Sequence, residues 1–136
     1  MLDDGDQERI SLQTNNGLTG YRIVKFQVMP QSTGIGANEA AVSIWKDKQS
    51  AAPQEIDFSD NRLLACVMFL RDQGTVSITS ESIIFDNEIF NQDIYVNYQD
   101  AQTSGGNMNY YIELEQMDLA LDEATVATLK DIRNTA

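Results

Sequence analysis

Short runs in which apolar and polar residues alternate predict a chain built mainly from β-strands. In one of them Val24, Phe26 and Val28 share a face, as expected for a strand with one buried side. Turn-forming residues separate these runs, which recur at intervals of about 8 to 15 residues, a spacing typical of antiparallel sheets. The predicted strands cover residues 21–28, 41–46, 63–70, 75–78, 83–85, 94–99 and 110–115.

Two segments depart from simple alternation. Residues 63–70 are all apolar, which predicts a strand covered on both faces, either at the centre of a sheet or in contact with another subunit. Later in the chain Tyr110, Ile112 and Leu114 alternate with polar residues, but Met117 continues the apolar set on the opposite parity. Such a slip indicates a bulge or a change of packing partner, and we expect a bulge at 115–117.

The pattern divides the chain into three parts. Residues 1–17 are polar and predict an N-terminal arm, and residues 18–121 contain all the predicted strands. In residues 122–134, Val126, Leu129 and Ile132 are spaced about three apart, which predicts a short amphipathic C-terminal α-helix. The predicted fold class is therefore mainly β, an antiparallel β-sandwich with a C-terminal helix, for which a jelly roll is one candidate topology.

Acidic residues dominate the charge of the chain, whose 136 residues include 21 Asp and Glu but only nine Lys and Arg, a net charge of -12. Eleven of these acidic residues lie between residues 72 and 129, where there is no Lys, Arg or His. Such a chain repels phosphate backbones, so we predict no nucleic-acid binding and no membrane binding. No apolar run approaches the about 20 residues of a membrane span. No secretory signal is evident either, which favours assembly in a cytoplasm.

The residue types needed for most catalytic and metal sites are missing or isolated. The chain has no histidine, which removes Ser-His-Asp, Cys-His and zinc-histidine sites. Its single cysteine, Cys66, lies in the apolar run and is predicted to be a core thiol. Glu113 and Glu115 share a strand face, but any solvated strand presents alternate carboxylates, and the acidic loops do not match the spacing of a calcium loop. We predict no enzymatic activity, no cofactor and no metal.

Three aromatic residues fall on strand faces opposite the predicted core. They are Trp45, Tyr95 and Tyr111, identified from parity alone. Exposed rings bind sugars by stacking, whereas rings in a two-sheet domain or an oligomer are more often buried in a core or an interface. The sequence leaves both roles open for these residues.

Three stretches, IIFDNEIFNQDIYV (83–96), NYYIELE (109–115) and DEATVATL (122–129), resemble small structural proteins of marine tailed phages. The resemblance extends over residues 18–134. It implies a virion component, a decoration (cement) protein on the outside of the capsid, with the major capsid protein as its partner and no cofactor.

The resemblance also sets expectations for assembly. A decoration protein would bind the shell at repeated positions and bridge neighbouring capsomers. Because shells present three-fold positions, we expect a homo-oligomer, with a trimer as the first candidate. The virion would be assembled in the host cytoplasm. The competing functions are a carbohydrate-binding or host-adhesion module of a tail or fibre, and a head-tail connector or tail subunit.

Overall fold

The computed structural model describes residues 1–12, 18–32, 37–71, 77–79, 81–85, 88–102 and 106–119. Within them the chain is mainly β, and every strand pair is antiparallel, which confirms the sequence prediction at that level. The predicted C-terminal helix at 122–134 lies outside the described residues. The strands are β1 (Gln7–Ile10), β2 (Thr19–Pro30), β3 (Asn38–Trp45), β4 (Leu63–Arg71), β5 (Ser77–Thr79), β6 (Ile83–Ile84), β7 (Ile94–Asp100) and β8 (Met108–Asp118).

The strands form two sheets of unequal size. Six strands make the main sheet, in the order β1-β7-β3-β4-β5, with β6 also paired to β4. The long strands β2 and β8 pair with each other and form a two-stranded ribbon. The position of β4 inside the sheet confirms one of the two placements predicted for the apolar run 63–70. The prediction that both faces of this strand are covered is wrong at Met68 and Leu70, which are exposed. Alternate residues of the central strands therefore face opposite sides of the main sheet.

One hydrophobic core joins the inner face of the main sheet to the ribbon. In the main sheet Val42 lies between Val67 on β4 and Tyr98 on β7, and these cross-strand partners face the same side. The ribbon adds Ile23 and Phe26 to the same buried cluster. Burial of these apolar side chains is the main stabilising contribution that holds the ribbon on the sheet.

A bulge at Val24 sets which ribbon residues enter this core. Ile23 pairs with Leu114 and Lys25 with Glu113, so Val24 is the extra residue. Ile23 and Phe26 are both buried as a result, whereas Val24 is 44 % exposed. The sequence predicted that Val24, Phe26 and Val28 share the buried face. This prediction is wrong for Val24, because the bulge inserts one residue between Ile23 and Phe26 and turns Val24 toward solvent.

The predicted bulge at 115–117 is also corrected, since β8 pairs with β2 without interruption through this segment. The reversed parity of Met117 reflects a different packing partner: Met117 joins Leu119 and Ile89 in a small separate cluster. Gly20, opposite Met117, allows this contact. A Cβ atom at Gly20 would lie 2.9 Å from Ile89 Cγ2 and 3.0 Å from Leu119 side-chain carbons.

Residues 1–12, predicted as part of a polar arm, belong to the fold instead. Strand β1 pairs with β7 from Gln7 opposite Asn97 to Ile10 opposite Ile94. Leu2 is buried, and its backbone N–H and C=O both bond to Met108 at 2.9 Å. An edge strand with one solvated face has few apolar residues, so its composition looked like that of an arm.

Candidate functional site

The outer face of the main sheet, away from the ribbon, is divided into a covered half and an open half. Residues 46–62, the covering loop between β3 and β4, lie over the first half. There Trp45, Leu63 and Cys66 form a second buried cluster, against which Ile56 of the loop packs. The Trp45 indole N–H donates to Ser43 Oγ at 2.7 Å, which fixes the ring within this cluster.

Polar contacts hold the covering loop on the sheet. The Gln7 side-chain amide donates to the Gln49 carbonyl oxygen at 3.3 Å and accepts from the Gln49 backbone N–H at 2.8 Å. At the end of the loop, Arg62 pairs with Asp60 at 2.7 Å and with Asp47 at 3.3 Å. Burial raises the pKa of Asp47, despite the nearby Arg62, whereas the hydrogen bond from Arg62 lowers the pKa of Asp60. This charged cluster closes the loop.

A buried ion pair fixes the start of the covering loop. The Lys46 Nζ atom lies 2.7 Å from Glu88 Oε2, and the Lys46 side chain is only 2 % exposed. An ammonium group this deeply buried requires a carboxylate nearby, since few water molecules can reach it. The pair connects the covering loop to the segment between β6 and β7.

Breaking this pair is expected to destabilise the protein measurably. Because Glu88 is partly exposed, we expect Glu88→Gln to lower the free energy of unfolding by about 2 kcal/mol, less than for a fully buried pair. Urea denaturation at pH 7 measures the change. The exposed pair Arg22–Glu115 provides the control, since Glu115→Gln should cost less than about 0.5 kcal/mol. Equal costs for both substitutions would contradict a buried pair at Lys46.

The open half of the outer face exposes apolar side chains. Met68 and Leu70 on β4 are 41 % and 45 % exposed, and Ile83, paired with Cys66 from β6, is 42 % exposed. We call these three residues the apolar patch. A regular sheet holds them in fixed positions along about 14 Å of β4, as the rise per strand residue requires. Contiguous exposed apolar surface of this kind is typical of contact sites.

The ribbon presents a charged surface on the other side of the molecule. Its solvent face includes Tyr111, Glu113 and Glu115, the face that the sequence predicted to be acidic. Arg22 pairs with Glu115 at 2.8 Å, and the Lys25 ammonium lies 5.8 Å from the centre of the Tyr111 ring. Basic residues of β2 thus offset part of the acidity of β8.

A cleft opens where the two-stranded ribbon leaves part of the larger sheet uncovered, and it has a volume of about 770 Å³. Apolar and aromatic side chains of both sheets line it together with polar residues, a combination that is common in binding sites for small molecules. The lining residues are Phe26, Gln27, Val28, Met29, Val67, Glu81, Ser82, Asn109, Tyr110 and Tyr111.

The structure separates the three aromatic residues singled out from the sequence. Trp45 is 4 % exposed beneath the covering loop. Tyr95 lies beside it on the outer face of the main sheet and is half-buried. Tyr111 is 54 % exposed on the ribbon, and its hydroxyl donates to Glu113 Oε1 at 2.8 Å. The three rings do not form one platform, and Tyr111 alone is well placed to contact a ligand.

Sequence reasoning missed the cleft. It gave the apolar run 63–70 as a possible subunit contact, but it did not indicate which residues of the run would remain exposed. The side chain of Cys66 is buried, and burial raises the pKa of its thiol. Among the residues that the structure describes, no group of three or more Cys, Asp or Glu side chains is arranged to hold a metal ion.

The described residues define a mainly β, antiparallel domain with an apolar patch on one side and a charged ribbon face on the other. They contain no helix of the length and apolarity needed to cross a bilayer. A scan of protein-family models and searches of curated proteins and solved structures find no match to this chain. The resemblance to structural proteins of marine phages therefore stays a prediction.

Proposed function

We propose that the chain is a structural protein of a tailed-phage virion, a decoration (cement) protein that binds the major capsid protein on the outside of the assembled shell. The observation that carries this proposal is the apolar patch. Met68, Leu70 and Ile83 are held by a regular antiparallel sheet, which provides a contact surface that needs no rearrangement before binding.

Binding to the assembled shell would stabilise it by mass action, because the protein adds binding free energy to the assembled state and none to free subunits that lack the complete site. No catalytic group is needed for this function. A contact of modest size is sufficient, since it is repeated at every equivalent position of the shell.

The proposal includes the assembly state expected from the resemblance and the finer fold predicted from the sequence pattern. The protein binds at three-fold positions of the shell as a trimer. Its two sheets form a β-sandwich, with a jelly roll as one candidate topology, and residues 122–134 form a C-terminal helix. It joins the virion during assembly in the host cytoplasm.

The number of copies in each particle tests the proposed function. Particles are purified from the lysate in which the gene is expressed, and the chain is quantified by gel densitometry against the major capsid protein. A decoration protein should be present in hundreds of copies. A dozen copies or fewer would assign the chain to the tail, and none would remove it from the virion.

The cleft favours a second function, a carbohydrate-binding or host-adhesion module of a tail or fibre. Tyr111 supplies an exposed ring at the cleft, and Asn109, Gln27 and Ser82 supply polar groups for sugar hydroxyls. An amphipathic tyrosine beside amide and hydroxyl groups suits a ligand that has both apolar ring faces and hydroxyl groups.

A glycan array distinguishes this function from decoration. If the cleft binds sugars, Tyr111→Ala should weaken binding of the best glycan about tenfold, because it removes the exposed ring. Tyr95→Ala is the control, since Tyr95 lies on the other sheet and does not line the cleft. Absence of glycan binding by the unmodified protein would remove this second function.

A further inference from the structure

We propose that the apolar patch is the shell-binding surface and that its partner presents an apolar centre flanked by Lys or Arg. This inference rests on the proposed function and adds which surface binds and what chemistry it recognises. Met68 and Leu70 are two residues apart on β4 and therefore share the outer face with Ile83, the cross-strand partner of Cys66.

The covering loop determines where this patch lies. It buries Trp45 and contributes to the cover over Cys66, so the same face of β4 is closed at one end and open at Met68 and Leu70. The patch is therefore confined to one end of the outer face. The buried cluster beneath the covering loop fixes the other end. A rigid area of this kind loses little conformational freedom when it binds.

A carboxylate at the edge of the patch indicates the charge of the partner. Glu39 is exposed and pairs across the sheet with Leu70, so it shares the face of the patch. It makes no ion pair with another described residue, in contrast to Glu88, Asp93 and Glu115. A basic group on the partner would complement the edge and would exclude partners of the wrong charge.

The same charge argues against a second copy of this chain as the partner. A face-to-face contact of two copies through the patch would bring the Glu39 carboxylate of each copy toward that of the other. Three partly exposed side chains are also far fewer than the about 20 to 30 residues per side of a stable protein interface. Repetition over a shell overcomes this limit, whereas an isolated pair of subunits does not.

Binding of purified chain to undecorated shells, assembled from the major capsid protein of the same phage, tests the inference. In a co-sedimentation titration we expect Met68→Thr combined with Leu70→Thr to weaken binding about tenfold or more, since two apolar contacts are lost. The matched control combines Leu18→Thr with Val24→Thr, two exposed apolar residues beside and on the ribbon that line neither the patch nor the cleft. It should bind like the unmodified protein.

A charge pair tests the edge of the patch. Glu39→Lys should weaken binding to the shell, whereas Glu55→Lys, which makes the same charge change at an exposed position of the covering loop, should not. Circular dichroism and thermal unfolding of each variant establish that the fold is retained. Equal binding by both charge variants would contradict a basic partner surface.

The outcomes separate the two proposals. If the unmodified chain fails to bind shells, the proposed function is wrong. If it binds and the Met68 and Leu70 substitutions leave binding unchanged, the function stands and the assignment of the patch is wrong. If those substitutions instead abolish self-association in light scattering and leave shell binding intact, the partner is a second copy, which also overturns the inference.

Discussion

Replacing Phe26 with alanine is expected to lower the free energy of unfolding by about 4 kcal/mol, through lost apolar burial and the cavity that remains. Phe26 is fully buried and belongs to the cluster that joins the ribbon to the main sheet. The ladder of β2 and β8 joins these two strands only to each other. The attachment of the ribbon to the main sheet therefore depends on buried side chains such as Phe26. Urea denaturation followed by circular dichroism measures the change.

Val24 provides the matched control in the same strand. It is the bulge residue and is substantially exposed, so Val24→Ala should cost less than about 0.5 kcal/mol. The simple alternation in the sequence gives the opposite expectation, since it places Val24 and Phe26 on one buried face. A cost for Val24→Ala similar to that for Phe26→Ala would contradict the bulge.

Alkaline pH is expected to destabilise the protein through Tyr98, which is buried, and Tyr110, which is partly buried. Burial raises the pKa of Tyr98 to about 12, and burial together with a hydrogen bond to Glu8 raises the pKa of Tyr110 to about 12. In the unfolded chain both phenols ionise near their usual pKa of about 10. The folded protein then holds protons that the unfolded chain has released, so the free energy of unfolding falls as pH rises from about 10 to 12.

Tyr98 alone should contribute about 3 kcal/mol to this fall, because its pKa of about 12 in the folded protein lies well above the usual value. Tyr98→Phe tests the contribution, because it removes the phenol and keeps the ring. Its pH-independent cost should be about 1 to 2 kcal/mol, since the Tyr98 hydroxyl donates to the Gly106 carbonyl at 2.9 Å and accepts from Asn38 at 3.4 Å.

Denaturation curves at pH 8, 10, 11 and 12 separate the two effects. Other groups titrate in this range in both proteins, so the comparison uses the difference between the two pH profiles. Tyr98→Phe should show a shallower fall above pH 10 than the unmodified chain. Parallel profiles would mean that the Tyr98 phenol ionises equally in the folded and unfolded states.

The strands that alternate clearly could be predicted from the sequence. Strands β3, β7 and β8 each present one face to the core, and residues 63–67 of β4 are apolar because both faces of that part of the strand are covered. Local patterns fail where a distant contact decides the structure. The bulge at Val24 depends on pairing with Leu114 and Glu113, and β1 is recognisable only by its pairing with β7.

The candidate site was less predictable for the same reason. Parity correctly placed Trp45 away from the main core, but a contact with Ile56 in the covering loop decides that its ring is buried. The apolar run correctly predicted that Cys66 would be buried, but it gave no sign that Leu70 would be exposed. Which part of a strand face is open depends on where the connecting loop folds, and a single strand does not encode that information.

Carboxylates of the acidic region have different environments in the described part of the structure. Glu115 forms an ion pair on the ribbon, Glu88 pairs with the buried Lys46, and Glu81 lines the cleft. Net charge therefore indicates which partners are repelled, whereas individual contacts indicate which surface is available for binding.

The location of the chain in the virion tests the proposed function most directly. A reconstruction of the purified particle by electron cryomicroscopy, at a resolution that separates capsomers, would show where the protein lies. We predict its density at repeated three-fold positions on the outside of the head, with the apolar patch facing the capsid. Density confined to the tail, or a particle without this protein, would contradict the proposal that it is a decoration protein.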